Sequence, residues 1–449
     1  MLFITALDYI LLPIYLLIIY KLALVIRNKY YPEGHILRKY FIPGLTVKII
    51  GAITTGLIYA YYYKGGDTFN YFEHIKLVNS SFKEGITTWW HILTNTERVD
   101  NSYEVSIASL KYYTTKDTYT IWQLGSFISI FCFNSFLPLN AVLAFLSYSG
   151  VWLIFRYFAE LYPKYIKWLA ISCLFIPSVA IWGSGLFKDT FCQMALGWLL
   201  WGVYKVFKTG NIKYVIIIFL GSIILIKIKI YIFLIFAPLL FLAEIIKKIA
   251  FLNLYKKIIL YTILFMILWG ARGQFQILIE NEAKRYSIET VAQNVVNSKN
   301  YFIRLAEEDQ GSVFDIGEIE PTINGIFKKF IPATSASLFR PYIWEVKKPL
   351  VLIAALEAFV FALLTIYAIF VIIKKREFAS IFNTNILFWL SFSIFFAFIT
   401  GVSTSNFGSL SRYRLPLLPF YASSLIILIL QNRSPLSPLK KVRSALKSN

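Results

Sequence analysis

Ionisable residues and glycines occur together at a few breaks between the long apolar runs of this chain. The first break is Gly65-Gly66-Asp67-Thr68, which follows the apolar run 42–62 directly. The two glycines free the backbone there, and the carboxylate of Asp67 has the chemistry of a general base toward a hydroxyl group. A flexible helix end that carries a solvated acid explains the same residues equally well.

A second break, residues 177–190, places a proline, several small residues and the pair Lys188-Asp189 between two apolar runs. Charged residues at membrane depth are costly and usually functional. A glycine-rich break that opens a helix also directs backbone N–H groups at an anion, to which Lys188 adds a positive charge. The pattern favours a re-entrant functional segment, with Asp189 as a second candidate base, over a solvated turn with a local ion pair.

The run 214–246 is too long for one membrane crossing and holds Lys227 and Lys229 in its middle. This arrangement predicts two short helices with a turn at the lysines. Lys229 and the nearby Tyr231 are candidate ligands of a lipid phosphate. Snorkelling of the lysines to the lipid headgroups is an equally good explanation.

One acid and three arginines near the C-terminal runs complete the candidates. Glu357 lies inside an apolar run, where an unpaired acid facing lipid is costly, so it is predicted to face the bundle and to meet a cation. Arg340 precedes that run, and Arg412 and Arg414 flank Tyr413 before the last one. The planar fork of arginine suits phosphate oxygens, with interfacial anchoring as the alternative. Because side chains two apart on a helix diverge by about 200°, an extended segment predicts Arg412 as the ligand and a helical segment predicts Arg414.

Helices must position these residues, because the composition is that of a polytopic membrane protein. The 449 residues are 58% hydrophobic and only 15% charged, whereas soluble domains carry about 25% charged residues. Apolar runs of about 20 residues, the length that crosses a bilayer as a helix, recur along the chain. The predicted fold is an all-α, polytopic transmembrane helix bundle of about 10–12 spans with a large extracytoplasmic loop.

Polar loops set the predicted domain boundaries and the orientation in the membrane. The predicted order is N-terminal transmembrane helices at 1–271 with an outer loop at 63–118, an extracytoplasmic loop domain at 272–348, C-terminal transmembrane helices at 349–431, and a basic cytoplasmic tail at 432–449. Basic residues in short cytoplasmic loops account for the net charge of +21. Nucleic acid is therefore not an expected partner, and the predicted location is the cytoplasmic (inner) membrane.

The cysteines and histidines do not form a pattern of disulfides, zinc ligands or haem ligands. Cys132, Cys173 and Cys192 all lie in apolar runs without CxxC spacing or a nearby histidine. The chain has only three histidines and three methionines. We therefore expect no metal site and no cofactor.

Two sequence elements resemble those of bacterial enzymes that build polysaccharides in membranes. Two helices joined by a basic loop and followed by a G-[GT]-D-x-x-x-Y element, here residues 65–71, resemble exopolysaccharide and O-antigen polymerases. Residues 412–419, Arg-Tyr-Arg-Leu-Pro-Leu-Leu-Pro, are similar to the RY-x-L-P-x-x-P start of the last helices in lipid-carrier-dependent glycosyltransferases of the GT-C class. The resemblance implies an undecaprenyl-type phosphate carrier and transfer outside the cytoplasmic membrane. One difference is that GT-C enzymes often place a catalytic acid after the first helix, whereas Asp67 follows the second.

The leading hypothesis is therefore a membrane glycosyltransferase or polysaccharide polymerase. Asp67 or Asp189 would deprotonate the acceptor hydroxyl, and basic residues would hold the diphosphate of the donor as its charge develops: Lys188, Lys229, Arg412 and Arg414. The expected partners are a lipid-linked glycan and membrane lipids, and the sequence does not identify a protein partner. A transporter or flippase of a lipid-linked glycan and a non-catalytic membrane subunit of an envelope-assembly or secretion complex stay open as alternatives.

Overall fold

A computed structural model describes residues 4–94, 116–249 and 313–433, with a few single positions between 293 and 304. Within these ranges the chain forms helices and short connections, and the described residues include no strand beyond one isolated β-bridge between Val313 and Asn406. The predicted all-α class is therefore confirmed. Nearly half of the predicted loop domain 272–348, its boundary at 271, and part of the predicted outer loop 63–118 lie outside the described residues.

Several described helices are long and apolar enough to cross a membrane, which indicates a multi-pass membrane protein. They are six in number: Ala6–Tyr30, Arg38–Tyr63, Phe136–Leu161, Ile212–Ile249, Pro349–Lys375 and Thr384–Ser403. The pair Phe407–Tyr413 and Leu418–Asn432, bent by 71°, gives a seventh if it forms one broken span. The larger total expected from the sequence stays a prediction, because one of its apolar runs lies in 250–292, outside the described ranges.

The chain divides into two compact units, Met1–Ala237 and Pro238–Asn449. The first unit contains ten helices within its described residues, the last of which continues into the second unit. They are α1 (Ala6–Tyr30), α2 (Arg38–Leu57), α3 (Asp67–Ser80), α4 (Ile86–Thr94), α5 (Lys116–Ile130), α6 (Phe136–Leu161), α7 (Ile166–Leu174), α8 (Pro177–Ile181), α9 (Lys188–Thr209) and α10 (Val215–Ile249). A π-helical turn, Ile58–Tyr63, extends α2.

Helix α6 forms the centre of the first unit and packs against α1, α2, α7 and α9. Its contact with α9 is made by backbone, because a Cβ atom on Gly150 would overlap the backbone of Met194 and one on Gly197 would overlap the backbone of Gly150. Small residues permit this close approach between membrane helices, where packing rather than hydrophobicity holds helices together. The two glycines therefore set the distance between α6 and α9.

A buried acid fastens the first turn of α1 to the beginning of α6. Asp8 is 2% exposed. One carboxylate oxygen accepts from the backbone N–H of Leu137 at 2.9 Å and from the Ser135 hydroxyl at 3.1 Å. The other accepts from the backbone N–H and the hydroxyl of Thr5, both at 2.8 Å. Its negative charge also lies at the positive end of the α6 dipole, which is a favourable position.

Two interruptions in the helices of the first unit occur in or next to the segments that hold candidate residues. Lys229 has non-helical backbone angles (φ −146°, ψ 77°) inside α10, so the helix is interrupted at one of the two lysines. The interruption is a kink within one long candidate span, and the predicted turn between two short spans stays a prediction. The other interruption separates α7 from α8, immediately before Pro177. Proline disfavours helical geometry in the residue that precedes it, so the sequence itself ends α7.

The second unit packs its remaining described helices around two long ones. They are α11 (Ile323–Lys328), α12 (Phe330–Phe339), α13 (Pro349–Lys375), α14 (Thr384–Ser403), α15 (Phe407–Tyr413) and α16 (Leu418–Arg433). Helix α14 packs against α12 and α16, and α13 packs against α16. Gly401 permits the contact between α14 and α12, because a Cβ atom there would overlap the backbone of Ala333.

The glycine contact between α6 and α9 gives a test of the fold. We expect Gly150→Ala and Gly197→Ala each to lower the free energy of unfolding by about 1–3 kcal/mol, since the added methyl group forces the two backbones apart. Gly408→Ala is the control, because its nearest neighbour is a side-chain oxygen at 3.1 Å. Thermal unfolding of the three detergent-solubilised variants measures the difference, and equal midpoints would contradict the packing described.

Candidate functional site

Two helices of the first unit begin beside the same aromatic ring, that of Tyr59 in the π-helical turn. Gly66 precedes α3, and a Cβ atom on it would lie 2.8 Å from a ring carbon of Tyr59. Phe187 precedes α9, and its ring packs on Tyr59 with the centroids 5.3 Å apart. The first residues of the two helices, Asp67 and Lys188, are therefore brought into one region of the molecule.

The glycine pair before α3 is required by the backbone. Lys64, Gly65 and Gly66 have φ values of 51°, 157° and 108°, and residues with a side chain rarely adopt such values in succession. This turn separates the π-helical end of α2 from α3, and Asp67 is half-buried in the first turn of α3. A carboxylate in a first turn interacts favourably with the helix dipole, which is the structural explanation for Asp67.

The predicted residues Asp189 and Lys229 form a buried ion pair. The Lys229 ammonium nitrogen lies 2.5 Å from a carboxylate oxygen of Asp189, and their side chains are 9% and 1% exposed. Lys229 reaches the acid from the interruption in α10, whereas Lys227, two residues earlier, is exposed. The solvated-turn explanation of the second break does not hold for Asp189. Lys188 and Tyr231 are half-buried.

The irregular backbone between α8 and α9 is buried, and side chains from other helices satisfy much of it. Unbonded backbone groups are not tolerated at membrane depth, so irregular segments occur there only where protein or water surrounds them. Three such bonds are Leu186 N–H to the Asn140 side-chain oxygen at 2.8 Å, the Thr55 hydroxyl to the Ile181 carbonyl at 2.9 Å, and the Ser147 hydroxyl to the Gly183 carbonyl at 3.1 Å. Helices α2 and α6 thus hold the segment that leads to Lys188 and Asp189.

Lys48 also holds this segment, although the sequence interpretation does not single it out. The side chain is 2% exposed, and its ammonium group donates to the carbonyls of Val179 at 3.1 Å and Gly183 at 2.5 Å and to the Gln193 side-chain oxygen at 2.7 Å. The sequence does contain a sign of this role, because Lys48 is the one charged residue within the apolar run 42–62. A single charge inside an apolar run was also the reason for choosing Glu357 as a candidate.

In the second unit, Glu357 meets the guanidinium of Arg414, so the prediction that Glu357 faces the protein and meets a cation is confirmed. Arg414 has no exposed surface, and its Nη2 lies 3.1 Å from a Glu357 carboxylate oxygen. Its Nη1 donates to the carbonyls of Ser337 at 3.3 Å and Arg340 at 3.1 Å. The segment before Leu415 is helical, the geometry for which the sequence predicts Arg414 as the ligand. Because the guanidinium has no exposed surface, a phosphate in solution or at the membrane surface does not reach it in this structure.

Arg340 is paired as well, and aromatic rings surround it. Its Nε donates to both carboxylate oxygens of Glu345 at 3.1 Å, and its guanidinium carbon lies 5.3 Å from the ring centre of Phe314 and 5.8 Å from that of Phe407. Burial alone would raise the pKa of the Glu345 carboxyl, but the hydrogen bonds from Arg340 and the backbone of Tyr342 outweigh it and place the pKa below its ordinary value. Arg340 thus shapes the turn before α13.

The described residues contain no group of three or more His, Cys, Asp or Glu side chains that could hold a metal ion. Cys132, Cys173 and Cys192 are buried free thiols. Burial raises the pKa of the Cys132 thiol to about 12, so this cysteine is a poor nucleophile at neutral pH.

The candidate residues fall into two groups, one in each unit. The first unit holds Asp67, Lys188, Asp189, Lys229 and Tyr231, and the second holds Arg340, Glu357, Arg412 and Arg414. Of the second group, Arg412 is half-buried and is the better candidate for a phosphate ligand than the enclosed Arg414.

The two neighbouring lysines of α10 give a matched test of the ion pair. Lys229→Ala should destabilise the protein by about 3–5 kcal/mol, because it leaves Asp189 as an uncompensated buried charge. Lys227→Ala removes an exposed lysine and should change stability by less than about 0.5 kcal/mol.

A double variant completes the test. Removing both charges in Lys229→Ala/Asp189→Ala should cost less than Lys229→Ala alone, since no buried charge remains unpaired. Unfolding midpoints in one detergent measure all variants. If the destabilisation of the double variant equals the sum of those of Lys229→Ala and Asp189→Ala, the two side chains do not interact.

Comparison of the chain with family models, with curated proteins and with solved structures found no match. The basis for a functional proposal is therefore the arrangement of side chains around Tyr59, together with the two short sequence elements that resemble polysaccharide polymerases and glycosyltransferases.

Proposed function

We propose that the chain is an integral membrane glycosyltransferase or polysaccharide polymerase that uses a polyprenyl-diphosphate-linked glycan at the outer face of the cytoplasmic membrane. The observation that supports the proposal is that Gly66 and Phe187, the residues that precede α3 and α9, both lie against the ring of Tyr59. Asp67 and the pair Lys188-Asp189 follow them directly, and these are the residue types that such a reaction needs.

The diphosphate of the donor would bind at the start of α9. Helix N-termini present backbone N–H groups and the positive end of the dipole to anions. Lys188, the first residue of α9, adds a full positive charge there. Asp189 follows directly, but Lys229 compensates its charge at 2.5 Å, so the acid repels an anion less than its position alone suggests.

Asp67 is the better candidate base of the two acids. It is half-buried and therefore within reach of an acceptor, whereas Asp189 is only 1% exposed. In the proposed step, the acceptor hydroxyl oxygen forms a bond to the anomeric carbon of the donor sugar and its proton passes to the Asp67 carboxylate. The bond from that carbon to the diphosphate oxygen breaks, and the diphosphate leaves with the electron pair. Lys188 and the first-turn N–H groups stabilise the charge that develops on it.

Variants expressed in a host strain that lacks the chromosomal copy test the proposal. Asp67→Asn and Lys188→Ala should each lower polymer formation by about a hundredfold or more, the usual cost of losing a general base or a charge-stabilising group. The matched controls are Glu73→Gln, an exposed acid on α3, and Lys227→Ala, an exposed lysine on α10. Polymer is measured by gel electrophoresis, normalised to the amount of protein in the membrane.

The position of the lipid-linked sugar separates the alternatives. A missing transferase or polymerase leaves the lipid-linked unit in the outer leaflet, where a lectin reaches it in intact spheroplasts. A missing flippase leaves it in the inner leaflet. Normal polymer in Asp67→Asn and Lys188→Ala, together with its loss in the deletion strain, would identify a non-catalytic subunit and overturn the proposal.

The two arginines before the last helix give a further prediction in the same strain. Arg414→Ala should lower stability by about 3–5 kcal/mol because it leaves Glu357 buried without its cation. Arg412→Ala should lower polymer formation, measured per amount of protein in the membrane. Arg412→Lys should restore activity only in part, since lysine lacks the bidentate fork. Full activity in Arg412→Ala would exclude this arginine as a phosphate ligand.

A further inference from the structure

We propose that the irregular segment around the end of α8 is a monovalent-cation site, and that the ammonium group of Lys48 fills it as a tethered cation in place of a free ion. The inference does not depend on the glycosyltransferase proposal. It starts from the three oxygen atoms around the Lys48 nitrogen, at 2.5, 2.7 and 3.1 Å.

All three ligands are neutral oxygens. Two are backbone carbonyls, of Val179 and Gly183, and the third is the amide oxygen of Gln193. Among the residues that the structure describes, no carboxylate lies within the 4.0 Å of an ion pair with Lys48. Divalent cations are usually bound with the help of carboxylates, and Mg²⁺ needs oxygens at about 2.0–2.1 Å. The neutral ligands and longer distances fit an ammonium group or a potassium-sized ion.

The carbonyls belong to the end of a broken helix. Helix α8 ends at Ile181, and Val179 lies in its last turn. Carbonyls at a helix C-terminus lack intrahelical partners and form the negative end of the dipole. Unwound carbonyls and half-helix C-termini of this kind coordinate monovalent cations in secondary transporters. The same ligand chemistry is therefore present here, with a lysine side chain at its centre.

Contacts between α2 and α8 position the Lys48 side chain. Lys48, Gly51 and Thr55 recur at helical spacing on one face of α2. A Cβ atom on Gly51 would overlap the carbonyl oxygen of Ala180, so this glycine lets α2 touch the backbone of α8. Thr55 donates to the Ile181 carbonyl at 2.9 Å. The ammonium group is thus held at the break by contacts on both sides of Gly51.

The first experiment removes the tether. Lys48→Ala, purified in detergent in choline chloride, should unfold at a clearly lower temperature than the wild type. Adding methylammonium or potassium chloride at constant ionic strength should raise its midpoint saturably by several degrees, because a small cation then occupies the vacated site. The wild-type midpoint should not respond.

Two control variants define the cation response. Lys48→Met fills the space with an apolar side chain and should be destabilised without recovery on adding either cation. Lys227→Ala removes an exposed lysine and should behave as the wild type. The proposal is overturned if neither cation raises the unfolding midpoint of Lys48→Ala saturably. It is also overturned if the cations raise the midpoints of Lys48→Met and Lys227→Ala by the same amount.

A second experiment keeps Lys48 and covers the case in which Lys48→Ala does not fold. The Nε2 atom of Gln193 is buried and has no hydrogen-bond partner, so Gln193→Glu loses no bond and places a carboxylate against the ammonium group. If the site holds a cation without a counter-charge, the midpoint should rise above that of the wild type. A lower midpoint in Gln193→Glu would show that Lys48 is held there as a neutral amine, and it would overturn the proposal.

Discussion

Backbone polar groups that leave regular helix inside a membrane protein must find partners, and the first unit is arranged around that constraint. The segment between α8 and α9 is irregular and buried, so its carbonyl and N–H groups have no access to water. Lys48 and Thr55 from α2, and Asn140 and Ser147 from α6, bond to it. These bonds explain why the two helices approach the segment closely, and why α2 has a glycine, Gly51, where it touches the backbone of Ala180.

Charges inside both units follow a related rule. In the second unit, Glu357 and Arg414 neutralise each other, and in the first unit Asp189 and Lys229 do the same. Removing one partner of such a pair costs far more than the pair contributes. Lys48 differs, because neutral oxygens rather than a carboxylate surround it. The positive charge there is balanced by dipoles, which makes the environment of α8 sensitive to the side chain of Gln193.

The sequence predicted those parts of the arrangement that follow from the free-energy cost of placing a charged side chain in an apolar run. A lone acid in an apolar run has to meet a cation, and Glu357 does so; two lysines inside a long apolar run have to interrupt it, and Lys229 does so. The partners were not predictable, since Arg414 lies 57 residues from Glu357 and the Val179 carbonyl lies 131 residues from Lys48. Backbone carbonyls carry no residue type, so no pattern of side-chain charges points to them.

The location of Asp67 and Lys188 near Tyr59 could not be predicted from the sequence either. Each of the two residues was a separate candidate, because a glycine-rich break precedes it. Their proximity depends on the π-helical turn that places Tyr59 beside the starts of two helices. The change from α-helical to π-helical geometry cannot be recognised from the spacing of apolar residues in the sequence. The aromatic ring rather than a charge brings the candidates together.

The order of the ion-pair partners along the chain has a consequence for biosynthesis. The residues of α2 and α6 that bond to the break are translated before it, so its hydrogen-bond partners are already part of the nascent chain when the break is synthesised. Asp189, in contrast, precedes Lys229 by 40 residues. The ion pair can form only after Lys229 has been synthesised. The final position of α9 therefore depends on a segment that follows it in the chain.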